Sequence, residues 1–397
     1  MKLLEPHLDL DKTKKIKDNN FKVDYRFKII YTIAMMSVIA SHLQGKGSIE
    51  LNIQGWFDYT TFHMPLFMFS AGYFFKTNNI NNTFAYIIRK FKRLLLPIYE
   101  YNLFYGFIMQ FLKYFGFNKN KIKSFNYRIV FIEPLGGNGF PPIRASWFSS
   151  SLFFVEFYNI IKRKIFLLLK IEIYESIYFL FDLFLSFYSV HCSNKGYYRI
   201  NLYMQILRFM HLNIYYELGI YYNKNLEFFL KNIQNELYFA SIFSFKLFFH
   251  FYYSKAPTFF YGGSQFYNYP GFTVFIISSL GILFWIRISE ILTPLLGKNF
   301  YVNIISDNTY SIMMNHFFAI FLVRTFFAII SKNTIYCKDF NFNNYYSMND
   351  YIYIPNNILQ IGILYFLSCF IIPIIMQKLI NKIKSLISKK NPFNYKT

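Results

Sequence analysis

The sequence has few cysteines and few charged residues, and each shortage excludes a class of protein. Its three cysteines, Cys192, Cys337 and Cys369, form neither a disulfide framework nor a metal-binding motif. Charged residues make up only 16% of the chain, whereas a soluble globular chain carries about 25%. A soluble domain with 54% hydrophobic residues would expose more apolar surface than water tolerates. We therefore expect much of the apolar surface to face lipid.

Acidic residues are also scarce, and the resulting net charge of +22 raises the question of nucleic-acid binding. Nucleic-acid binders gather their Lys and Arg on one soluble face. Here the basic residues lie mainly between apolar segments, where the positive-inside rule places them in membrane proteins. We therefore expect a lipid bilayer as a partner and no nucleic acid.

Ten apolar segments approach the length of about 20 residues that a helix needs to cross the hydrocarbon core of a bilayer. They are residues 27–43, 56–75, 94–117, 147–161, 173–190, 200–222, 237–253, 271–291, 310–330 and 358–377. These segments predict an all-α fold, a polytopic integral membrane helical bundle of about ten transmembrane helices. The chain shows no internal repeat, which disfavours a transporter built from inverted repeats.

The basic connectors predict the orientation of this bundle. With the Lys-rich N-terminus in the cytoplasm, the basic stretches 89–93 and 162–164 and the C-terminal tail all fall inside, and only the loop 119–123 breaks the rule. We expect a multi-pass protein of the cell inner (cytoplasmic) membrane with both termini cytoplasmic. The predicted parts are a basic cytoplasmic N-terminal segment (1–28), a transmembrane domain (29–377) and a cytoplasmic Lys-rich tail (378–397).

Several ionisable side chains lie inside the predicted spans, where a charge costs several kcal/mol. Among them are His42, His63, Glu100, Glu156, Asp182, Arg208, Glu217, Lys246, His316 and Arg324. At any one position, pairing between helices and a functional role both remain open. The number of such groups exceeds what a purely structural bundle needs, so we expect some of them to be functional.

Three features of the first spans indicate chemistry or close packing. His42 ends the first span, and an imidazole there suits a general base acting on a hydroxyl; the alternative is hydrogen bonding to lipid headgroups. In the second span Pro65 is expected to bend the helix, and residues 70–72 (Ser-Ala-Gly) to permit close helix contact. The basic stretch 89–93 is either a positive-inside anchor or a clamp for the phosphates of a cytosolic donor.

The order of these motifs resembles acyltransferase family 3, the membrane O-acyltransferases that modify sugars and surface glycans, and within it the fucose 4-O-acetylase-like branch. The matching stretches are IAMMSVIASH (33–42), FHMPLFMFSAGYFF (62–75), RKFKRLLLP (89–97), WFSSSLFFVE (147–156) and NTYSIMMNH (308–316). They keep the family's order along nearly the whole chain, and the block 62–75 is the most specific.

The chain departs from the family pattern at two places. Tyr31 stands where family members carry a basic residue, and Arg26 and Lys28, about one turn earlier, are the candidate substitutes. The family's basic motif reads Arg-x-x-Arg, whereas this sequence supplies it as Lys90 with Arg93, or as Arg89 with Lys92.

The resemblance implies transfer of an acyl group, above all acetyl from acetyl-CoA, to a hydroxyl of a cell-surface glycan or its lipid-linked precursor. It implies no bound cofactor besides this acyl-CoA donor, no metal, and other glycan-assembly proteins as candidate partners. His42 would take the proton from the acceptor hydroxyl or carry the acyl group briefly, and Glu156 would orient or charge-balance its imidazole. Arg89, Lys90, Lys92 and Arg93 would hold the CoA phosphates. The candidates for the acceptor pocket are His63, Trp147, Asn308 and His316.

Two alternatives stay open. One is an exporter of polysaccharide or lipid-linked sugar that uses the buried charges as a permeation path, without acyl-transfer chemistry. The other is a structural membrane subunit with no site of its own. The predicted topology also sets His42 and the basic stretch 89–93 on opposite sides of the bilayer, on the order of 30 Å apart, so an acyl-transfer mechanism needs a path for the donor through the protein.

Overall fold

The computed structural model of the protein describes residues 23–43, 57–117, 122–199, 201–348, 352–358 and 360–390. Within these ranges every regular element is helical, and the single extended pairing is a bridge between Phe260 and Gln265. The prediction of an all-α fold is confirmed. Most of the predicted N-terminal segment and the end of the predicted tail lie outside the described residues.

The α-helices follow one another from the N-terminal to the C-terminal end. The first seven are α1 (Tyr25–His42), α2 (His63–Tyr73), α3 (Thr83–Lys90), α4 (Leu96–Tyr114), α5 (Ser146–Leu168), α6 (Glu175–Asn194) and α7 (Asn201–Tyr221). The others are α8 (Glu227–Lys231), α9 (Asn235–Tyr252), α10 (Gly271–Leu296), α11 (Phe300–Asp307), α12 (Thr309–Asn333), α13 (Phe342–Tyr346) and α14 (Ile361–Lys390).

Each of the ten predicted spans overlaps one of these helices, namely α1, α2, α4, α5, α6, α7, α9, α10, α12 and α14. Three described helices are long and apolar enough to cross a membrane: Gly271–Leu296, Thr309–Asn333 and Ile361–Leu386. The remaining helices are shorter, richer in tyrosine or interrupted by charged side chains. The helix α2 has 11 residues, which is about 16 Å of helix, because its first turn begins only at His63.

Pro65 does not bend the second helix, so the prediction of a proline kink is wrong. Since α2 begins at His63, Pro65 lies in the first turn, where a backbone N–H has no intrahelical partner to lose. The irregular backbone lies at the basic stretch instead, where Phe91–Leu95 forms a π-helical segment between α3 and α4. Such segments are frequent at functional sites.

The helices α2 and α7 pack with their backbones in direct contact, as residues 70–72 predict. A Cβ atom on Gly72 would lie 1.9 Å from the carbonyl oxygen of Tyr216, and one on Gly219 would lie 2.1 Å from that of Phe69. Neither backbone leaves room for a side chain. The two glycines therefore allow an approach that any larger residue would prevent.

A buried ion-pair network joins α5, α6 and α7. The Lys162 ammonium lies 2.6 Å from Asp182 and 3.0 Å from Glu217, and the Arg163 guanidinium lies 2.7 Å from Glu217. Asp182 and Glu217 therefore pair with cations of a neighbouring helix. This is the structural one of the two roles that the sequence leaves open for them.

The same network corrects the predicted connector at residues 162–164. Lys162 and Arg163 do not lie in a cytoplasmic loop, because α5 continues to Leu168 and buries both side chains. Their basic character balances carboxylates inside the protein, so it gives no information about which side of the membrane this segment faces.

Candidate functional site

A cavity of about 780 Å³ lies between α1, α2, α3, α5 and the junction of α11 with α12. This volume is within the range of about 300–1,000 Å³ found for small-molecule sites. Among the described residues, five cationic side chains and two carboxylates line it: Lys28, Lys76, Arg89, Lys90, Arg93, Glu156 and Asp307. The excess of positive charge makes the cavity attractive to a ligand with several anionic groups.

The cations of the cavity are held by different partners. Lys28 pairs with Asp307 at the junction of α11 and α12, and the Lys90 ammonium lies 2.5 Å from a carboxylate oxygen of Glu156. Arg89 donates a hydrogen bond of 3.2 Å to Asn79. In the described part of the chain Arg93 makes no ion pair, so its charge is available to a ligand.

Tyr86 supports two of these cations. Its buried ring lies 5.4 Å from the Arg89 guanidinium and 5.3 Å from the Lys90 ammonium, within the range of cation–π contacts. Tyr86 is not among the site residues predicted from the sequence. The sequence does contain a pattern that predicts these contacts, because Arg89 and Lys90 follow Tyr86 by three and four positions and residues so spaced share a face of a helix.

The inner end of the cavity is apolar. Its lining there consists of Met35 on α1, Phe67 on α2, Phe148 on α5 and Met313 on α12, and we call these four residues the apolar collar. The two phenyl rings lie 5.7 Å apart, centroid to centroid, and the two methionines are buried. The collar is thus an apolar part of the cavity lining, separate in sequence from the charged residues.

Three histidines follow the collar along the same helices. On α2, His63 is four residues from Phe67. On α12, His316 is three residues from Met313, and on α1, His42 is seven residues from Met35. At 1.5 Å per residue these separations are about 6, 5 and 10 Å of helix. The histidine cluster thus lies beyond the collar along these helices, and none of the three histidines lines the basic cavity.

The rings of this cluster are oriented by specific contacts. The imidazoles of His42 and His316 stack with their centroids 5.1 Å apart, and His63 and Arg144 are further electrostatic neighbours of His42. His316 donates from Nδ1 to the carbonyl oxygen of Ile312 at 3.0 Å. Its buried Nε2 has no hydrogen-bond partner among the described residues. In this tautomer Nε2 carries a lone pair that can accept a proton.

Glu156 lies at the cavity and not at the histidine cluster. Its carboxylate is 3% exposed and faces Lys90, while its second oxygen, Oε2, has no hydrogen-bond partner among the described residues. The structure therefore gives no contact through which Glu156 would orient the His42 imidazole. The side chain belongs to the lining of the basic cavity.

The other predicted site residues lie neither in the basic cavity nor in the histidine cluster. Trp147 lies beside the collar, with the Arg208 guanidinium 4.5 Å over its ring. Asn308 lies at the start of α12, where its side chain donates to the carbonyl oxygen of Ile304, and it lines a neighbouring cavity rather than the histidine cluster. Lys92 is exposed and lines neither cavity.

The two candidate substitutes for the basic residue at position 31 are separated by the structure. Lys28 lines the basic cavity together with Tyr31. Arg26 faces the other way and is bound by carboxylates, at 2.6 Å from Asp24 and 2.8 Å from Glu227. Only Lys28 is placed to contribute charge to a ligand in the cavity.

The described residues contain no group of three or more histidine, cysteine or acidic side chains that would hold a metal ion. Comparison of the chain with protein-family models, with curated proteins and with solved structures finds no match.

Proposed function

We propose that the protein is a multi-pass membrane O-acyltransferase of the inner membrane, moving an acyl group from cytosolic acyl-CoA to a hydroxyl of a cell-surface glycan or its precursor. The observation that carries this proposal is the basic cavity whose apolar collar lies one to two turns of helix from three histidines. The resemblance of the motifs to acyltransferase family 3 supports the same conclusion.

The donor would enter from the charged mouth. Arg93, Arg89 and Lys90 offer fixed cations to the phosphates of CoA, and Lys28 adds a fourth from α1. The pantetheine arm of CoA is long and uncharged, and it would extend along the cavity toward the collar. From Lys28 to His42 the helix α1 rises about 21 Å, and the cavity already covers the first half of that distance.

The chemistry is a direct transfer between two bound substrates. An imidazole of the histidine cluster takes the proton of the acceptor hydroxyl. The acceptor oxygen forms a bond to the thioester carbonyl carbon, and the carbon–sulfur bond breaks. The departing CoA thiolate then receives the proton from the imidazolium, so that the products are an ester and CoA with a free thiol. His42 and His316, whose rings stack in the histidine cluster, are the candidates for this base.

The test is the ester-linked acetate of surface glycans in a deletion strain complemented with wild type, His42→Ala, His316→Ala or His191→Ala. The last variant removes an exposed histidine of α6 that lies outside the cluster. Membrane levels of all four proteins are matched by blot. We expect base-labile acetate with wild type and His191→Ala, and a loss of at least about a hundredfold with His42→Ala, as for removal of a general base.

The other outcomes separate the alternatives. If His42→Ala restores acetate but His316→Ala does not, the base is His316 and the acyltransferase proposal stands. If no version of the protein changes acetate while glycan export changes, the protein is an exporter and the proposed function is wrong. If every histidine variant restores acetate as wild type does, His42 and His316 are structural and the base lies elsewhere, with His63 the next candidate. If His42, Lys90 and Arg93 all tolerate substitution and wild type changes neither acetate nor export, the chain is a structural subunit.

A further inference from the structure

A second cavity, the one that Asn308 lines, has a volume of about 690 Å³ and lies beside the basic cavity. Its lining residues on and just before α4 recur at helical spacing, at positions 93, 97, 100, 101 and 104. On α14 they extend from Met376 to Lys384, and the start of α12 supplies the floor between the two helices. One face of α4 and about two turns of α14 therefore border the same groove.

The charged groups of this groove leave two cations for a ligand. Arg93 lines it and makes no ion pair in the described part of the chain. Lys384 lies 3.9 Å from Glu100, and both side chains are more than half exposed, so this pair contributes little stability. The other carboxylate of the lining, Asp307, is held by Lys28. Only Glu100 therefore competes with a bound anion for the two cations.

The rest of the groove has an apolar side that is open. Phe104, Leu379 and Ile383 line the cavity and are nevertheless 47%, 55% and 56% exposed. The Tyr101 hydroxyl donates to the side-chain oxygen of Gln377 across the groove at 3.4 Å. In the predicted orientation the start of α4 and the end of α14 both lie at the cytoplasmic surface of the membrane. The charged groups would then meet lipid headgroups and the exposed apolar side chains would meet acyl chains.

We propose that this groove binds a phospholipid with a net negative headgroup, whose phosphate lies between Arg93 and Lys384. The acyl chains lie along Phe104, Leu379 and Ile383. A guanidinium and an ammonium form charge-assisted hydrogen bonds with phosphate oxygens, and they repel the amine of a zwitterionic headgroup. A free phosphate ester would satisfy the cations but leave the apolar side chains uncovered. The site lies outside the histidine cluster, so this inference does not rest on the acyl-transfer proposal.

The experiment measures dissociation constants of the purified full-length protein in a neutral detergent by isothermal titration calorimetry. The ligands are dihexanoyl phosphatidylglycerol, dihexanoyl phosphatidylcholine and glycerol 3-phosphate, which distinguish an anionic lipid from a zwitterionic lipid and from a free phosphate ester. The test variant for the charge is Lys384→Gln. One control is Lys382→Gln, which removes an exposed lysine of α14 that lines neither cavity. The other is Arg89→Gln, which removes a cation that lines the basic cavity and not the second cavity.

The apolar side of the groove is tested with an uncharged substitution, Ile383→Asn. Its control is Leu386→Asn, because Leu386 is 54% exposed on the same helix and lies outside the lining. Both substitutions replace a half-exposed aliphatic side chain, so they alter insertion and folding alike. A difference between them reports contact with the acyl chains.

For wild type and the three controls we expect phosphatidylglycerol to bind at least about fivefold more tightly than phosphatidylcholine or glycerol 3-phosphate. Lys384→Gln weakens binding of phosphatidylglycerol about fivefold, as for the loss of one cation near a lipid phosphate. Ile383→Asn weakens binding of both lipids by a similar factor and leaves glycerol 3-phosphate unchanged.

Four results would overturn the inference. An equal loss in Lys382→Gln shows general attraction to the basic tail, and an equal loss in Arg89→Gln places the lipid in the basic cavity. Equal affinity for glycerol 3-phosphate makes the groove a site for a free phosphate ester. Binding of neither lipid to wild type removes the site altogether. None of these results bears on the acyltransferase proposal, which titration of the same protein with CoA tests separately.

Discussion

The pair formed by Lys90 and Glu156 connects the stability of the protein to its proposed donor site. The Glu156 side chain is 3% exposed and that of Lys90 is 22% exposed, so the carboxylate depends on the ammonium far more than the reverse. Lys90 also lines the cavity in which we place the CoA phosphates. A donor phosphate and Glu156 therefore compete for the same cation.

This competition predicts that substituting Lys90 weakens CoA binding, whereas substituting Glu156 does not. Lys90→Gln leaves a buried carboxylate without its counter-ion, which costs about 3 kcal/mol of unfolding free energy, and it also weakens CoA binding. Glu156→Gln removes the competitor, so CoA binds at least as tightly as to wild type. Thermal unfolding in detergent and titration with CoA measure the two effects.

The control for the Lys90 prediction is Lys92→Gln, because Lys92 is exposed and lines no described cavity. It should change neither the unfolding temperature nor CoA affinity. The double variant Lys90→Gln/Glu156→Gln should recover most of the lost stability and none of the lost affinity. Equal loss of CoA affinity in the Lys90 and Lys92 variants would show that the basic stretch acts only through its overall charge.

At the scale of whole helices, the ion-pair network of α5, α6 and α7 stabilises a contact without forming a site. Each charged group in it has an opposite charge within 3.0 Å, and the participants are almost completely buried. Replacing a buried ion pair with apolar residues is often neutral, whereas removing one partner alone costs about 3–5 kcal/mol.

Substitutions at Lys162 and Asp182 test this structural role. Lys162→Met alone should destabilise the protein by roughly 3 kcal/mol, since it leaves the Asp182 carboxylate without its ammonium. The double variant Lys162→Met/Asp182→Leu should recover most of that loss, as judged by thermal unfolding. Glycan acetate per amount of folded protein should stay at the wild-type level in both. A double variant that is stable but inactive would instead assign the network to the site.

Glu227 on α8 forms the centre of a second contact between helices, and its charge makes that contact sensitive to pH. It accepts from Arg26 at 2.8 Å, from the Tyr73 hydroxyl at 2.8 Å and from Lys231 at 2.7 Å. Burial alone would raise the pKa of Glu227, but the hydrogen bonds from Lys231, Arg26 and Tyr73 outweigh it and lower the pKa. The carboxylate is thus favoured in the folded state.

A lowered pKa in the folded state predicts the direction of the pH effect. Glu227 contributes stability above the pKa of an unfolded glutamate, about 4.3, and the contribution is lost as pH falls through the lower pKa of the folded state. The unfolding temperatures of wild type and Glu227→Gln should therefore differ at neutral pH and converge in acid. The exposed Glu236, which has no ion pair in the described part of the chain, supplies the control Glu236→Gln. A difference that is constant with pH would contradict the prediction.

The sequence predicts where helices occur better than where they begin or which charges meet. Apolar segments of suitable length were enough to place a helix at each predicted span, because burial of apolar surface dominates their formation. Hydropathy misplaced Lys162 and Arg163, since a charged residue in a sequence looks like the end of a span even when a partner on another helix neutralises it. Pro65 was misjudged because its effect depends on the first residue of the helix, which propensity locates poorly.

The candidate site was only partly predictable for a related reason. The spacing of Lys28, Tyr31, Met35 and His42 places all four on one face of α1, and that pattern is visible in the sequence. The ion pair of Lys90 with Glu156 joins residues 66 positions apart, and a single sequence gives no information about such a partner. The expected contact between Glu156 and His42 failed for this reason.

For the whole molecule, the distribution of charge and apolar surface decides how the proposed mechanism relates to the membrane. The basic cavity and the histidine cluster lie at different positions along α1, α2 and α12. Acyl transfer from a cytosolic donor requires the charged mouth to face the cytoplasm. Which helices cross the membrane decides the side that the charged mouth faces. Three described helices are apolar enough on their own to cross.

Two positions distinguish ten crossings from three, because α9 and α10 lie between Lys224 and Lys298. If both helices cross, the two lysines face the same side; if only α10, α12 and α14 cross, they face opposite sides. In a chain whose three native cysteines are replaced with Ala, we expect Lys224→Cys and Lys298→Cys to react with a membrane-impermeant maleimide only after the cells are permeabilised. Lys195→Cys and Tyr336→Cys should react in intact cells. All four positions are exposed. Labelling of Lys224→Cys and Lys195→Cys from one side would reject the ten-span arrangement, and the path of the donor to the histidines would then have to be drawn anew.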